Sequence, residues 1–426
     1  MDAKQLTEAI IDDGIFSPNF FNGRLLSGED LTREQEANRT SRLRLGQAVG
    51  GGVAYGLEVA TPTGVDTHLT PSVRVEAGMA LNARGETLVL NHPTLLSLVR
   101  MTEGGAAPGA AGPFTDCVPP QAGVHIADAG VYLLVISPAS GRSGRAPVSG
   151  LGNTTAGCNT RYTVEGVQFR LVQVPLTAQE LSVANAPLLR NQIAYKCFGY
   201  DAVRSFLTDP LTAPPTEYGA IDDLPASRLG DCDVPLALLY WTTAGGIGFV
   251  DLWSVRRRLT HRAASARWTP LADDRRRSEG EAMFLQFQEH AAALLSSAGD
   301  PRVAAATEHF RWLPPAGLLP LAGQGLPGFD YRQFFRNVTH REPVFAESAR
   351  LEYVVREALG YAPIDLNSGE FVWLYEIREN RQMGTAGGSA PPQPYLLFAT
   401  GHMPFYGEAR FDIARWNYSN YSSVNE

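Results

Sequence analysis

The pattern of apolar and polar positions changes character along the chain. Residues 28–47 are mostly polar, with few large apolar side chains in the middle. Ser27 stands three positions ahead of Asp30, a capping-box spacing, and Glu29 and Asp30 fall in the first turn, where carboxylates complement the helix dipole. These residues predict a helix over 28–47, stopped by Gly50, Gly51 and Gly52, and then a strand over 53–60. Between 72 and 100, apolar residues alternate on both sides of Arg84-Gly85, which predicts a strand, a turn and a second, antiparallel strand. Residues 131–136 read as a short buried strand and 161–174 as an alternating one. Residues 234–240 and 247–253 read as a hairpin around Ala244-Gly245-Gly246. The Gly/Ala/Pro-rich 103–123, the Gly/Ser-rich 137–160 and the Pro/Thr/Asp-rich 210–231 read as loops.

Beyond Arg258 the period becomes helical. Met283, Phe284, Phe287, Ala291, Leu294 and Leu295 share one face of a predicted helix over 278–297, and a short second helix is expected near 301–310. Pro314 and Pro315 argue against regular structure over 310–321. Leu351, Val354, Val355 and Leu359 line a third helix over 346–359, closed by Gly360. Strands over 371–378 and 395–400, joined by a Gly/Ser/Pro loop at 383–394, precede an aromatic-rich end that includes Trp416, Tyr418 and Tyr421. The expected fold class is α+β. It has a β-rich N-terminal domain (1–102) with a capped helix, a β-rich middle domain (124–260), a helical and Pro-rich connecting segment (261–345) and a C-terminal α/β-sandwich-like domain (346–426).

Composition narrows the function. With 426 residues, 44% hydrophobic and 19% charged, the chain can bury enough apolar surface to fold, which excludes disorder throughout. A formal charge of −8 leaves no global basic footprint, so no nucleic-acid partner is expected. Cys117, Cys158, Cys197 and Cys232 form no CxxC pair, and four reduced thiols in a cytosolic setting are expected. Residues 1–13 carry no apolar core of a secretory signal, and no run of about 18 apolar residues predicts a membrane helix.

No catalytic constellation emerges. None of the eight histidines lies four residues from another, and HExxH, GxSxG and Walker A motifs are all missing. One GxGxxG, at Gly323, Gly325 and Gly328, contains Pro327 and follows prolines rather than a strand, so the helix N-terminus that would hold a pyrophosphate is not predicted. No cofactor or metal is therefore expected, and no enzymatic activity. Arg256, Arg257 and Arg258 read either as a site for phosphate or an acidic partner, or as a strand end packed on acidic loops of the same or a neighbouring subunit. The terminal Trp and Tyr cluster reads as core or interface packing, or as a stacking surface for sugars.

One resemblance adds to this. The stretch Phe20-Phe21-Asn22-Gly23-Arg24-Leu25-Leu26, followed by Glu29-Asp30-Leu31, Glu34-Gln35 and the GGGVAYGLEV of 50–59, resembles the opening of proteins encoded with phage tail-like contractile injection systems. Residues 75–90, 234–259 and 310–320 resemble later blocks of the same group, and the opening is distantly similar to the type VI secretion baseplate protein TssK. The chain departs from the pattern at Gly50-Gly51-Gly52, where a turn bearing His or Trp is expected. The resemblance implies a non-enzymatic, trimeric structural protein. It would sit at the baseplate, or link the particle to a membrane, receptor or fibre, and would be made in the cytoplasm and carried in the assembled particle. Its partners would be further copies of itself and other baseplate or tail proteins. The alternatives are a tail-fibre adhesin that binds surface glycans and a particle-borne hydrolase. Expected interface residues are Phe20, Phe21, Arg24, Arg33, Arg39, Arg42, Arg256, Arg257, Arg258, Trp416, Tyr418 and Tyr421. Arg33, Arg39, Arg42 and Arg44 are expected to pair with acids on a neighbouring subunit. Of the adjacent Phe20 and Phe21, one is expected in the core and the other free for a neighbour, because successive side chains of an extended backbone point to opposite sides.

Overall fold

The computed structural model describes residues 14–62, 71–99, 126, 129–147, 158–183, 185–200, 219–260, 274–297, 299–322, 327–347, 350–378 and 394–403. They form a mixed α+β fold of several small sheets, with no barrel among them. The expected loops at 103–123 and, but for residue 394, 383–394 lie outside the described residues. Helix α1 (Gly28–Val49) starts at the predicted cap: Ser27 Oγ accepts from the Asp30 N–H at 3.1 Å, and the Asp30 carboxylate accepts from the Ser27 N–H at 3.1 Å. The strand expected over 53–60 is split into β1 (Gly52–Gly56) and β2 (Val59–Ala60) by Leu57, whose φ of 59° lies in the left-handed region. With β3 (Ser72–Val75), β4 (Gly78–Leu81), β5 (Thr87–Leu90) and β6 (Thr94–Ser97) they make two three-stranded antiparallel sheets, ordered β1-β4-β5 and β2-β3-β6.

The central element is an antiparallel sheet of β7 (Gly130–Pro147), β8 (Cys158–Gln173), β9 (Val234–Thr242) and β10 (Gly246–Asp251), ordered β10-β9-β7-β8. Both faces of its inner half are covered. Leu134, Ile136 and Leu171 pack with Val53, Leu57, Val73 and Leu88, while Val131, Leu133, Val135 and Val172 pack on helix α3 (Ala186–Phe198), which follows the single turn α2 (Ala178–Leu181). Burial on both faces is why 131–136 is an unbroken apolar run. That first core contains residues from both sides of 103–123, so packing does not stop at the expected boundary near 102.

The remaining elements are α4 (Asp274–Leu295), α5 (Ala306–His309), α6 (Tyr331–Phe334) and α7 (Leu351–Ala358), with strands β11 to β16. β11 (Trp312–Leu313) pairs with β14 (Ile364–Asp365). The main sheet is ordered β12 (Ala316–Pro320), β16 (Tyr395–Thr400), β15 (Val372–Arg378), β13 (Val344–Glu347), with only the β13–β15 pair parallel. An aromatic core of Phe287, Phe310, Phe329, Phe334, Phe335 and Phe398 fills the space between α4 and this sheet. It too spans an expected boundary, since β12 and β16 are neighbours in one sheet. Residues 310–321, expected to be irregular, hold two strands: Pro314 and Pro315 fall in the gap between β11 and β12, where no ladder donor is required.

Two further expectations change. The Gly/Ser-rich stretch 137–160 is not a loop at either end, because β7 runs on to Pro147 and β8 begins at Cys158. Cys232 is disulfide-bonded, so the chain does not carry four reduced thiols. Cys197 is a free, buried thiol whose pKa is pushed up to about 12 by burial, which leaves it inert.

Candidate interaction surface

The arm that precedes α1 folds back on the helix start. The Phe21 carbonyl accepts from the Arg24 N–H at 3.2 Å, closing a turn in which Gly23 takes φ +92°. Arg24 then donates to the Asn19 carbonyl at 2.6 Å and pairs with Asp30, the same carboxylate that caps the helix. The Ser27 bonds and Arg24 together hold that carboxyl below its ordinary pKa. Arg24 is thus committed to building the arm. The arm in turn presents its apolar side chains outward: Phe16 is 79% exposed, Phe20 50%, Phe21 64% and Leu25 93%. Phe20 and Phe21 do not split between core and surface as expected. The turn beginning at Phe21 removes the extended geometry on which that alternation depends.

Only Ala37 and Gly46 of α1 are buried. The helix rests on the body through its C-terminal half. Arg39 pairs at 3.0 Å with Glu86, which is buried, and Gln47 donates to the Arg84 carbonyl at 3.3 Å. Arg39 therefore has an acid within its own chain rather than only on a neighbour. Arg33 and Arg42 face solvent.

The Arg256-Arg257-Arg258 run turns inward for two of its three members. Arg256 is 7% exposed and donates to the Leu57 carbonyl at 3.0 Å and the Gly56 carbonyl at 2.5 Å, pinning the break between β1 and β2. Burial lowers its pKa. Arg257 donates to the Trp253 and Ser254 carbonyls at 2.8 and 3.1 Å and lies over the Phe198 ring. These two are structural braces, which corrects their expected place at an interface. Arg258 is exposed but pairs with Glu281 at 2.9 Å, in keeping with packing of the strand end on acids of its own chain. Trp416, Tyr418 and Tyr421 lie outside the described residues.

Sequence reasoning missed a buried polar junction. Asp251, fully buried at the end of β10, accepts from Arg190 of α3 at 2.5 Å, Gln286 of α4 at 3.1 Å, and the N–H and Oγ of Ser254 at 2.9 and 2.6 Å. Burial raises its pKa, but Arg190 and Ser254 outweigh it and hold the carboxyl below the ordinary range. Asn191 extends the junction: its Oδ1 accepts from the N–H groups of Arg311 and Trp312 at 2.8 and 3.0 Å. These bonds tie the central sheet, α3 and the C-terminal elements together. No spacing signals them, because the partners come from four separate segments. Among the described residues no group of three His, Cys, Asp or Glu side chains is placed to hold a metal ion. No described helix is long and apolar enough to cross a membrane. No protein-family model matches the chain, and no curated protein matches it.

Proposed function

We propose that the protein is a structural, non-enzymatic component of a contractile injection particle that assembles as a trimer through its N-terminal arm and α1. One observation carries the assembly part of this reading. Ile15, Phe16, Phe20, Phe21, Leu25 and Leu26 are all exposed within one short stretch, beside a helix that buries almost nothing in its own chain. Exposed apolar surface of this density is costly in a free monomer and fits a partner-covered contact. Without Arg256 and Arg257, the candidate surface keeps Phe20, Phe21, Arg33 and Arg42 as contact residues, with Arg24 as the group that shapes the arm. The particle part rests on the resemblance of the 20–59 stretch. The disulfide at Cys232 is in keeping with a particle that works outside the reducing cytosol.

The test is the mass of the full chain by light scattering in low salt, alongside co-purification of the tagged chain from its source cells with mass spectrometry of what comes with it. The expected result is a trimer, or a multiple of three copies, that carries neighbouring tail or baseplate proteins and loses its three-fold association when Phe20→Ser and Phe21→Ser are combined. A chain that is monomeric at micromolar concentration and brings down no such neighbour refutes the reading.

A further inference from the structure

The β7–β8 hairpin outruns its sheet. β9 accompanies β7 only as far as the Ile136–Val234 pair, whereas β7 and β8 stay paired from Tyr132–Gln173 out to Pro147–Cys158. The outer half is therefore a two-stranded ribbon, a form that is marginal in water when isolated. β8 is also the last strand of the sheet order, so its far side has no strand beside it among the described residues. Long exposed edges invite pairing, and proteins blunt them with proline, lysine or bulges. From Arg161 to Val167, β8 has no proline or lysine, and its ladder with β7 runs without a register shift.

The side chains along that edge are complementary to themselves. Arg161, Tyr162, Thr163, Val164 and Glu165 are all exposed, with Tyr162 at 55% and Val164 at 50%. Arg161 lies beside the ring of Tyr162, and neither it nor Glu165 has an ion-pair partner among the described residues. Antiparallel pairing of two copies about Thr163 sets Arg161 opposite the other copy's Glu165 twice over. It also sets Tyr162 opposite Val164 twice on the other face, with Thr163 opposite Thr163. Opposite charges and aromatic–β-branched pairs are the favourable cross-strand combinations. Centring the pair on Tyr162 or Val164 instead leaves the charges facing neutral residues.

We propose that the β8 edge is a homotypic interface. It would pair with the same edge of a second copy, antiparallel and centred on Thr163, about a two-fold axis normal to the sheet. The interface is isologous, each copy supplying the same patch. It stands apart from the N-terminal arm and does not depend on the particle reading.

The test uses the full chain and three variants. Thr163→Cys should form a disulfide-linked dimer under mild oxidation, mapped by mass spectrometry to a link between the two copies at this position, since directly opposed antiparallel residues lie within bridging distance. Glu165→Arg sets like charges across the seam and should weaken self-association by about tenfold or more, with unchanged circular dichroism. Adding Arg161→Glu to Glu165→Arg restores the pairing with its polarity reversed and should recover the association. A wild-type chain that shows no even-numbered association at high micromolar concentration overturns the proposal. So does an oligomer whose mass ignores Glu165→Arg and whose Thr163→Cys variant does not cross-link.

Discussion

Gly46 of α1 and Gly85 in the β4–β5 turn meet backbone to backbone. A Cβ built on Gly46 would run into the Gly85 carbonyl, and one on Gly85 would run into the carbonyl oxygen of Leu43. Gly85 also takes φ +81°. This contact, with the Arg39–Glu86 pair beside it, seats a helix that otherwise buries only Ala37.

Gly46→Ala forces the helix off the turn. Overpacking of this kind costs about 1–3 kcal/mol, and here the clash is with backbone that cannot rotate away. Hydrogen exchange should quicken at the amides of 39–49 while those of β7 and β9 keep their protection. Unchanged exchange in α1 would mean that the helix is held by something other than this seat.

Arg256→Ala leaves the Gly56 and Leu57 carbonyls without their charged donor. Hydrogen bonds to charged groups contribute about 1.5–3 kcal/mol, and urea denaturation should show a loss of that order. Arg256→Lys should recover little, because a single ammonium does not reproduce the guanidinium fork. An Arg256→Ala chain with full stability but altered assembly would return this residue to the interface.

Asp251→Asn removes the charge that compensates Arg190. Breaking one side of a buried pair costs about 3–5 kcal/mol, and the loss should appear as a lower Tm for the whole described body, because the pair joins α3 to the central sheet. Replacing Arg190 and Asp251 together by apolar residues of similar size should cost much less than Asp251→Asn. If the double replacement is the more damaging, the pair does more than hold the packing.

His290 gives a pH dependence. Burial, then Arg190 and His309, lower its pKa to about 3, with Asp251 opposing, and neither ring nitrogen has a hydrogen-bond partner among the described residues. The unfolded state takes up the proton below the ordinary value of 6.5, while the folded state refuses it down to about 3. Stability is therefore fully present above pH 6.5 and falls as pH drops toward 3, with a slope of up to about 1.4 kcal/mol per pH unit from this group. His290→Phe keeps the packing against Phe310, whose ring centroid lies 4.5 Å away, and should flatten the Tm-versus-pH curve between pH 6.5 and 4. An unchanged slope would show that other groups carry the acid sensitivity.

Local signals were legible where one segment decides its own conformation. The Ser27 cap and the Gly50 stop bound α1 to within two residues of the expected end, and the hairpin around Ala244-Gly245-Gly246 and the strands expected over 371–378 and 395–400 also formed within two residues of the expected bounds. Helix α3 went unread because its faces are covered from several directions: Leu189, Ile193 and Cys197 by the central sheet, Ala194, Tyr195 and Phe198 by α4 and Trp312. A helix buried all round has no apolar stripe to detect. The outer half of β7 was hidden by Gly and Ser, whose weak strand preference is overridden by the continuous ladder with β8.

The sequence by itself determined the class of the fold, the capped helix, most strand positions and the apolar motif ahead of the helix. Each rests on contacts within a few residues of chain. Tertiary structure alone decided which charges are free. Arg39 and Arg256 look like Arg161 as sequence, yet an acid or carbonyl brought in from elsewhere commits each to its own chain, whereas Arg161 and Glu165 remain without an ion-pair partner among the described residues. The reason is that a charge leaves water only when a distant partner meets it, and the partner's position is set by the packing of the sheets rather than by the residues beside it.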